Sequence, residues 1–122
     1  MSKIDPDPEN QLTLDGKVIE RLKQDMGEDA SMVIESYVES IDEFLSDIEN
    51  RTVKTSSDDL HRWAHTIKSS AQSIGAMRLA HLAAQMEYSY RDRVQIDLGA
   101  QLQSMQREYR RLNDSLEKIS SE

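Results

Sequence analysis

The sequence predicts an all-α protein, an antiparallel four-helix bundle with an additional short N-terminal helix that caps one end. Apolar residues recur every three or four positions through five segments, and no segment shows the alternation of a strand. The four glycines and two prolines lie outside these segments or at their ends. A chain of 122 residues has the size of one domain with one core.

The N-terminal part of the chain contains an arm and a short helix. Residues 1–11 are polar and hold both prolines, so we expect a flexible arm, followed by one bundle domain at 12–122. Helical spacing of Val18, Ile19 and Leu22 predicts a short helix that starts at Asp15. It ends at Gly27, a residue type suited to a left-handed helix cap.

Four longer helices form the predicted bundle, and the first extends from Asp29 to about Arg51. The next begins within 55–59, a segment rich in N-cap residues, and ends before Gly75. We assign a structural role to Gly75, because the short turn at this residue joins the third helix to a fourth helix from Ala76 to about Arg91. The short turn predicts that these two helices are antiparallel. The apolar stripes of these helices comprise Ile34, Tyr37, Val38, Ile41, Leu45 and Ile48, then Leu60, Ala64, Ile67, Ala71 and Ile74, then Leu79, Leu82, Ala83 and Met86. The last helix carries Leu98, Leu102, Met105, Tyr109, Leu112, Leu116 and Ile119.

Composition excludes several classes of function. The net charge of −8 argues against nucleic acid or an anionic membrane as the main partner. The absence of cysteine excludes disulfides, thiol chemistry and cysteine-ligated metals. The chain has neither a signal-peptide pattern at its N-terminus nor an apolar run of about 20 residues, so we expect a cytoplasmic protein.

A polar strip surrounds one histidine on the third helix. On a helical wheel, His65 points about 140° away from the centre of the apolar face, a position that predicts exposure to solvent. His61, Lys68 and Gln72 lie on the same side, and Ser69 lies just beyond them. An exposed neutral imidazole keeps a lone pair that can attack phosphorus, and the ammonium of Lys68 could offset phosphoryl charge.

The fourth helix supplies a candidate orienting group. Glu87 follows Met86 at the border of the buried face, where its carboxylate could accept a hydrogen bond from the second ring nitrogen of His65 and fix its tautomer. An ordinary solvated helix face, with a solubilising lysine and an exposed carboxylate, is the alternative interpretation of these residues.

Other chemistries find less support. His61 and His65 have the i, i+4 spacing of a two-histidine metal site, but residue 62 is arginine and no third ligand is evident, so we predict no metal site. No phosphate loop, nucleotide-binding fingerprint or hydrolase motif is present, which argues against an enzyme with its own nucleotide site.

The segment Ala64-His65-Thr66-Ile67-Lys68-Ser69-Ser70-Ala71, followed by Ile74-Gly75-Ala76 and Met86-Glu87, resembles the histidine phosphotransfer domain family. The resemblance implies that His65 accepts a phosphoryl group from a receiver-domain phospho-aspartate and passes it to another receiver aspartate. Lys68 would then stabilise phosphoryl charge. Glu87 stands where relatives often have a glutamine that hydrogen-bonds the histidine ring, and Ser69 replaces the common glycine.

The resemblance also implies partners and cofactors. We expect response regulator receiver domains and hybrid sensor histidine kinases as partners, with no nucleic acid and no membrane. The protein would be a phosphoryl carrier without an ATP site or a cofactor, and Mg²⁺ would belong to the receiver. The small alanines of the fourth helix favour a monomer. The candidate docking residues are His61, Ala64, Lys68, Ser69 and Gln72, and Gln72 is also a candidate contact of the phosphoryl site.

Two alternatives remain open on the sequence alone. A helical adaptor that binds receivers or other signalling domains without carrying phosphate would have almost the same sequence pattern. A dimeric coiled-coil scaffold built on the final helix would not need His65 at all.

Overall fold

The computed structural model describes residues 12–51, 57–91 and 97–120, which form five α-helices and one 3-10 turn and contain no strand. The helices are α1 (Gly16–Met26), α2 (Ala30–Arg51), α3 (Ser57–Ser73), α4 (Met77–Arg91) and α5 (Leu98–Ser120), and the 3-10 turn Gly27–Asp29 joins α1 to α2. The predicted all-α bundle with a short N-terminal helix is confirmed. The predicted arm at 1–11 lies outside the described residues. No helix in the described part of the chain has the length and apolarity needed to cross a membrane.

Helix α1 is attached to the turn between α3 and α4. The Asp15 side chain caps α1 by accepting from the backbone N–H of Lys17 at 3.0 Å. The backbone N–H of Asp15 donates to the carbonyl of Gly75 at 2.7 Å, and that of Arg78 donates to the carbonyl of Leu12 at 2.7 Å. These hydrogen bonds place α1 over one end of the helix pair.

The core lies where the apolar stripes of the four long helices meet. Helices α3 and α4 form the most extensive pair, with α2 packed on α3 and α5 packed on α4. Ala64, Ala71 and Ala83 are completely buried, and their small side chains allow the helices to approach closely. The largest fully buried side chains are Ile41, Ile48, Ile67, Ile74, Leu79, Met86, Met105 and Leu112. The apolar face predicted for α3 is therefore confirmed.

One buried charge lies on the apolar seam of α5. Glu108 is only 3% exposed, and its Oε1 lies 3.5 Å from Arg78 on α4 and 3.4 Å from Arg111. Arg78 also donates to the hydroxyl of Thr13 at 3.2 Å. A buried carboxylate needs such partners, and this one connects α5 to α4 and to the segment before α1.

Candidate functional site

His65 lies near the middle of α3 on its outward side. Its side chain is 57% exposed, whereas its neighbours Ala64 and Ile67 are fully buried. The outward position follows from the helical period, because a rotation of about 100° from a core residue carries the next side chain out of the interface. The orientation predicted for His65 is confirmed.

A carboxylate from α4 holds the inner nitrogen of the ring. Glu87 is 8% exposed and its Oε2 accepts a hydrogen bond from Nδ1 of His65. An ionised carboxylate can only accept, so Nδ1 carries the proton in this contact. The second ring nitrogen, Nε2, then keeps its lone pair in the neutral ring. The site therefore contains an oriented nucleophile on an exposed face.

Lys68 binds the other oxygen of the same carboxylate. Its Nζ donates to Oε1 of Glu87 at 2.6 Å, and its side chain is 24% exposed. Lys68 follows His65 by three positions, so both side chains reach α4 from one face of α3. Lys68 thus offsets the charge of the nearly buried glutamate, and its role at a phosphoryl group stays a prediction.

The charge of Glu87 depends on these two partners. Burial acts first and disfavours the ionised form, which raises the pKa of the carboxyl group. Hydrogen bonds from Lys68 and His65, together with the charges of these groups, act in the opposite direction and outweigh burial. The pKa of Glu87 is therefore lower than its ordinary value, and the group is ionised at neutral pH.

His61 approaches the same carboxylate from the preceding turn of α3. Its Nε2 lies 3.9 Å from Oε2 of Glu87, and its side chain is 33% exposed. Sequence reasoning placed His61 on the polar strip, among the docking residues and in a rejected metal site, and it missed this contact with Glu87. The available signal was its i, i+4 relation to His65, which places both rings on one face of α3. Among the described residues, no group of three or more His, Cys, Asp or Glu side chains is arranged to hold a metal ion.

The candidate docking residues differ in accessibility. Ser69 and Gln72 are exposed, and His61 and Lys68 are partly exposed. Ala64 is completely buried, so its inclusion among the docking residues was wrong: it faces the core one position before His65. Within the described residues, the Gln72 side chain makes no hydrogen bond to the cluster around Glu87, and its predicted contact with the phosphoryl site stays a prediction.

Comparisons with known proteins agree with this architecture. The family model described as the Hpt domain matches residues 32–122. The crystal structure of histidine-containing phosphotransfer protein B from Pseudomonas aeruginosa PAO1 is similar to this chain, with a TM-score of 0.82 and 21% sequence identity. That match covers 88% of this chain and 93% of the other. No curated protein sequence matches this chain.

Proposed function

Because this chain belongs to the Hpt domain family, whose members carry phosphoryl groups in two-component phosphorelays rather than catalyse reactions, we propose that it carries the group on Nε2 of His65. The observation that supports this atom is the contact between Nδ1 and Glu87. That contact commits one ring nitrogen to donation and leaves the other as the nucleophile on an exposed side chain.

The transfer can be written with this chain's own groups. The lone pair of His65 Nε2 attacks the phosphorus of an aspartyl phosphate in line with the departing oxygen. A P–N bond forms, the P–O bond to the aspartate breaks, and its electron pair leaves with the aspartate carboxylate. The Nδ1 proton stays on the ring, which becomes positively charged, and the carboxylate of Glu87 offsets that charge. Transfer to a second aspartate reverses these steps.

Lys68 would act on the phosphoryl oxygens. An ammonium group has three N–H donors, and the contact with Glu87 uses one of them. The other two can donate to the oxygens of a phosphoryl group bound to His65, one helical turn away. In this role Lys68 lowers the electrostatic repulsion between an incoming phosphoryl group and the acidic chain, whose net charge is −8.

Receiver domains are the proposed donors and acceptors, including those of hybrid sensor histidine kinases. They would dock around His65 on the accessible part of the strip, namely His61, Lys68, Ser69 and Gln72. We expect the protein to act as a monomer in the cytoplasm, where it needs no cofactor of its own. Mg²⁺ would be held by the receiver's carboxylates.

The first experiment is phosphoryl transfer from a panel of labelled, phosphorylated receiver domains in the presence of Mg²⁺. We expect acid-labile, alkali-stable label on the native chain and on His81→Gln, a matched control on α4, but none on His65→Gln. Because His65 is exposed, His65→Gln should keep the native far-UV circular dichroism spectrum.

Two results would overturn the proposal. Undiminished label on His65→Gln would show that another residue carries the phosphoryl group. Absence of label with every receiver, combined with measurable binding of a receiver to the native chain, would support the helical adaptor that never carries phosphate.

A further inference from the structure

Glu87 is the shared partner of three nitrogen groups on α3. Its Oε1 accepts from Lys68 at 2.6 Å. Its Oε2 accepts from Nδ1 of His65 and also has Nε2 of His61 at 3.9 Å. Two imidazoles therefore converge on one oxygen of one nearly buried carboxylate.

We propose that His61 modulates the carrier reaction through Glu87: in its protonated form it competes with His65 for Oε2 of Glu87 and weakens the contact that orients the nucleophile. This inference rests on the proposed function, since it concerns the ring that carries the phosphoryl group. It gives the site a dependence on pH that comes from a residue outside the transfer itself.

The distance between His61 and Glu87 is what allows competition. At 3.9 Å a neutral imidazole makes no hydrogen bond, so Oε2 serves His65 alone. Protonation of His61 places a positive charge beside a carboxylate that is 8% exposed, where water screens the attraction only partly. A small side-chain rotation then brings the protonated ring to hydrogen-bonding distance, and Oε2 is divided between two donors.

In the part of the chain that the structure describes, few charged groups other than His61 lie close enough to Glu87 to change its contact with His65. Lys68 is the remaining cation on the carboxylate. Arg62, next to His61 in the chain, is 74% exposed and paired with Asp59. From the neighbouring helices, Glu87 on α4 is the charged group that faces His61, and within the described residues no charged side chain of α2 or α5 pairs with this cluster.

The consequence for transfer follows from charge. Formation of the P–N bond places a positive charge on the His65 ring, which Glu87 offsets best when its Oε2 is not shared. A lower pH favours the protonated form of an imidazole, which is the competing form. Phosphoryl acceptance should therefore decrease more between pH 8 and pH 6 in the native chain than in a chain that has no ionisable group at position 61.

The test compares initial rates of phosphoryl acceptance at pH 8 and pH 6 for His61→Gln, His61→Lys and the control His81→Gln. The glutamine in His61→Gln cannot become charged. The initial rate of this variant should therefore decrease between pH 8 and pH 6 by a factor that is about twofold to fivefold smaller than the factor for the native chain. His61→Lys stays charged and should be slow already at pH 8. His81→Gln should follow the native profile.

A second measurement needs no phosphoryl donor. The ¹⁵N and ¹H signals of His65 Nδ1 report its hydrogen bond to Glu87, and their change between pH 8 and pH 6 should be smaller in His61→Gln than in the native chain. Equal changes in both chains, or equal rate profiles for His61→Gln and His61→Lys, would overturn the inference. If no receiver transfers a phosphoryl group, the proposed function fails, whereas the signals of His65 still decide whether His61 acts on Glu87.

Discussion

Replacement of Gly75 by alanine tests how the N-terminal helix is joined to the helix that carries His65. Gly75 forms the turn between α3 and α4 with a φ of +80°, a conformation that L-amino acids with a Cβ atom rarely adopt. A Cβ atom at this position would lie 2.8 Å from the carbonyl oxygen of Asp15 and 2.9 Å from Cβ of Val18. The turn therefore requires glycine both for its backbone and for the close approach of α1.

The expected loss of stability combines these two effects. The left-handed conformation costs about 1–2 kcal/mol for alanine, and insertion of a methyl group into a packed contact costs about 1–3 kcal/mol. Alanine also lowers the conformational entropy of the unfolded chain, which stabilises the folded state by about 0.4–1 kcal/mol. We expect Gly75→Ala to lower the free energy of unfolding by about 1–4.5 kcal/mol, a substantial part of the roughly 5–15 kcal/mol typical of a domain.

Urea unfolding followed by far-UV circular dichroism measures this loss, and Gly16→Ala is the control. Gly16 is the first residue of α1, and a Cβ atom built there meets no neighbouring group within 4 Å, so Gly16→Ala should not destabilise the protein. If Gly75→Ala is no more destabilising than Gly16→Ala, the turn between α3 and α4 does not require glycine and the reasoning is refuted.

Three further predictions concern charged groups. Lys68→Met should slow phosphoryl acceptance by about tenfold through loss of its ammonium; an unchanged initial rate of labelling from a phosphorylated receiver would contradict its role. Glu87 has a lowered pKa in the folded chain, so its stabilisation is present above about pH 4.5 and is lost as the pH falls through the folded-state pKa. Glu87→Gln should therefore destabilise the protein more at pH 7 than at pH 3, and equal losses in urea titrations at the two pH values would refute this. Arg78→Met should lower the free energy of unfolding by about 2 kcal/mol, less than the roughly 3–5 kcal/mol for a buried charge left without a partner, because Arg111 still pairs with Glu108. Adding Glu108→Met should recover part of that loss, a recovery that a double-mutant cycle measures.

The fold could be predicted from the sequence because the helical period determines which side of each helix is buried. Ile67 and Met105, both on predicted apolar stripes, are completely buried in the structure. Glu108 escaped prediction because a charged residue suggests a solvated position, although it lies three residues after Met105 and four before Leu112 on the same seam. Its burial depends on Arg78 from another helix, a partner that periodicity within one helix does not reveal.

The candidate site was predictable in its parts and less so in its contacts. The wheel of α3 gives the outward direction of His65, and the same wheel shows why Ala64 belongs to the core rather than to a docking surface. The contact between His61 and Glu87 depends on the offset of α3 relative to α4 along the helix axes. That offset is set by packing of side chains across the pair, and a sequence pattern on either helix alone does not contain it.

The residue type at position 87 determines what the site can do. A glutamine could accept from Nδ1 of His65, but its neutral amide would form no ion pair with Lys68 and would attract a protonated His61 only weakly. A glutamate orients the ring, and under the proposed function it would also supply a negative charge opposite the positive charge of the phosphorylated ring. Burial alone would work against that charge, and Lys68 on Oε1 compensates for it. Lys68 therefore supports the ionised form of Glu87, and under the proposed function it would also stabilise the charge of the phosphoryl group.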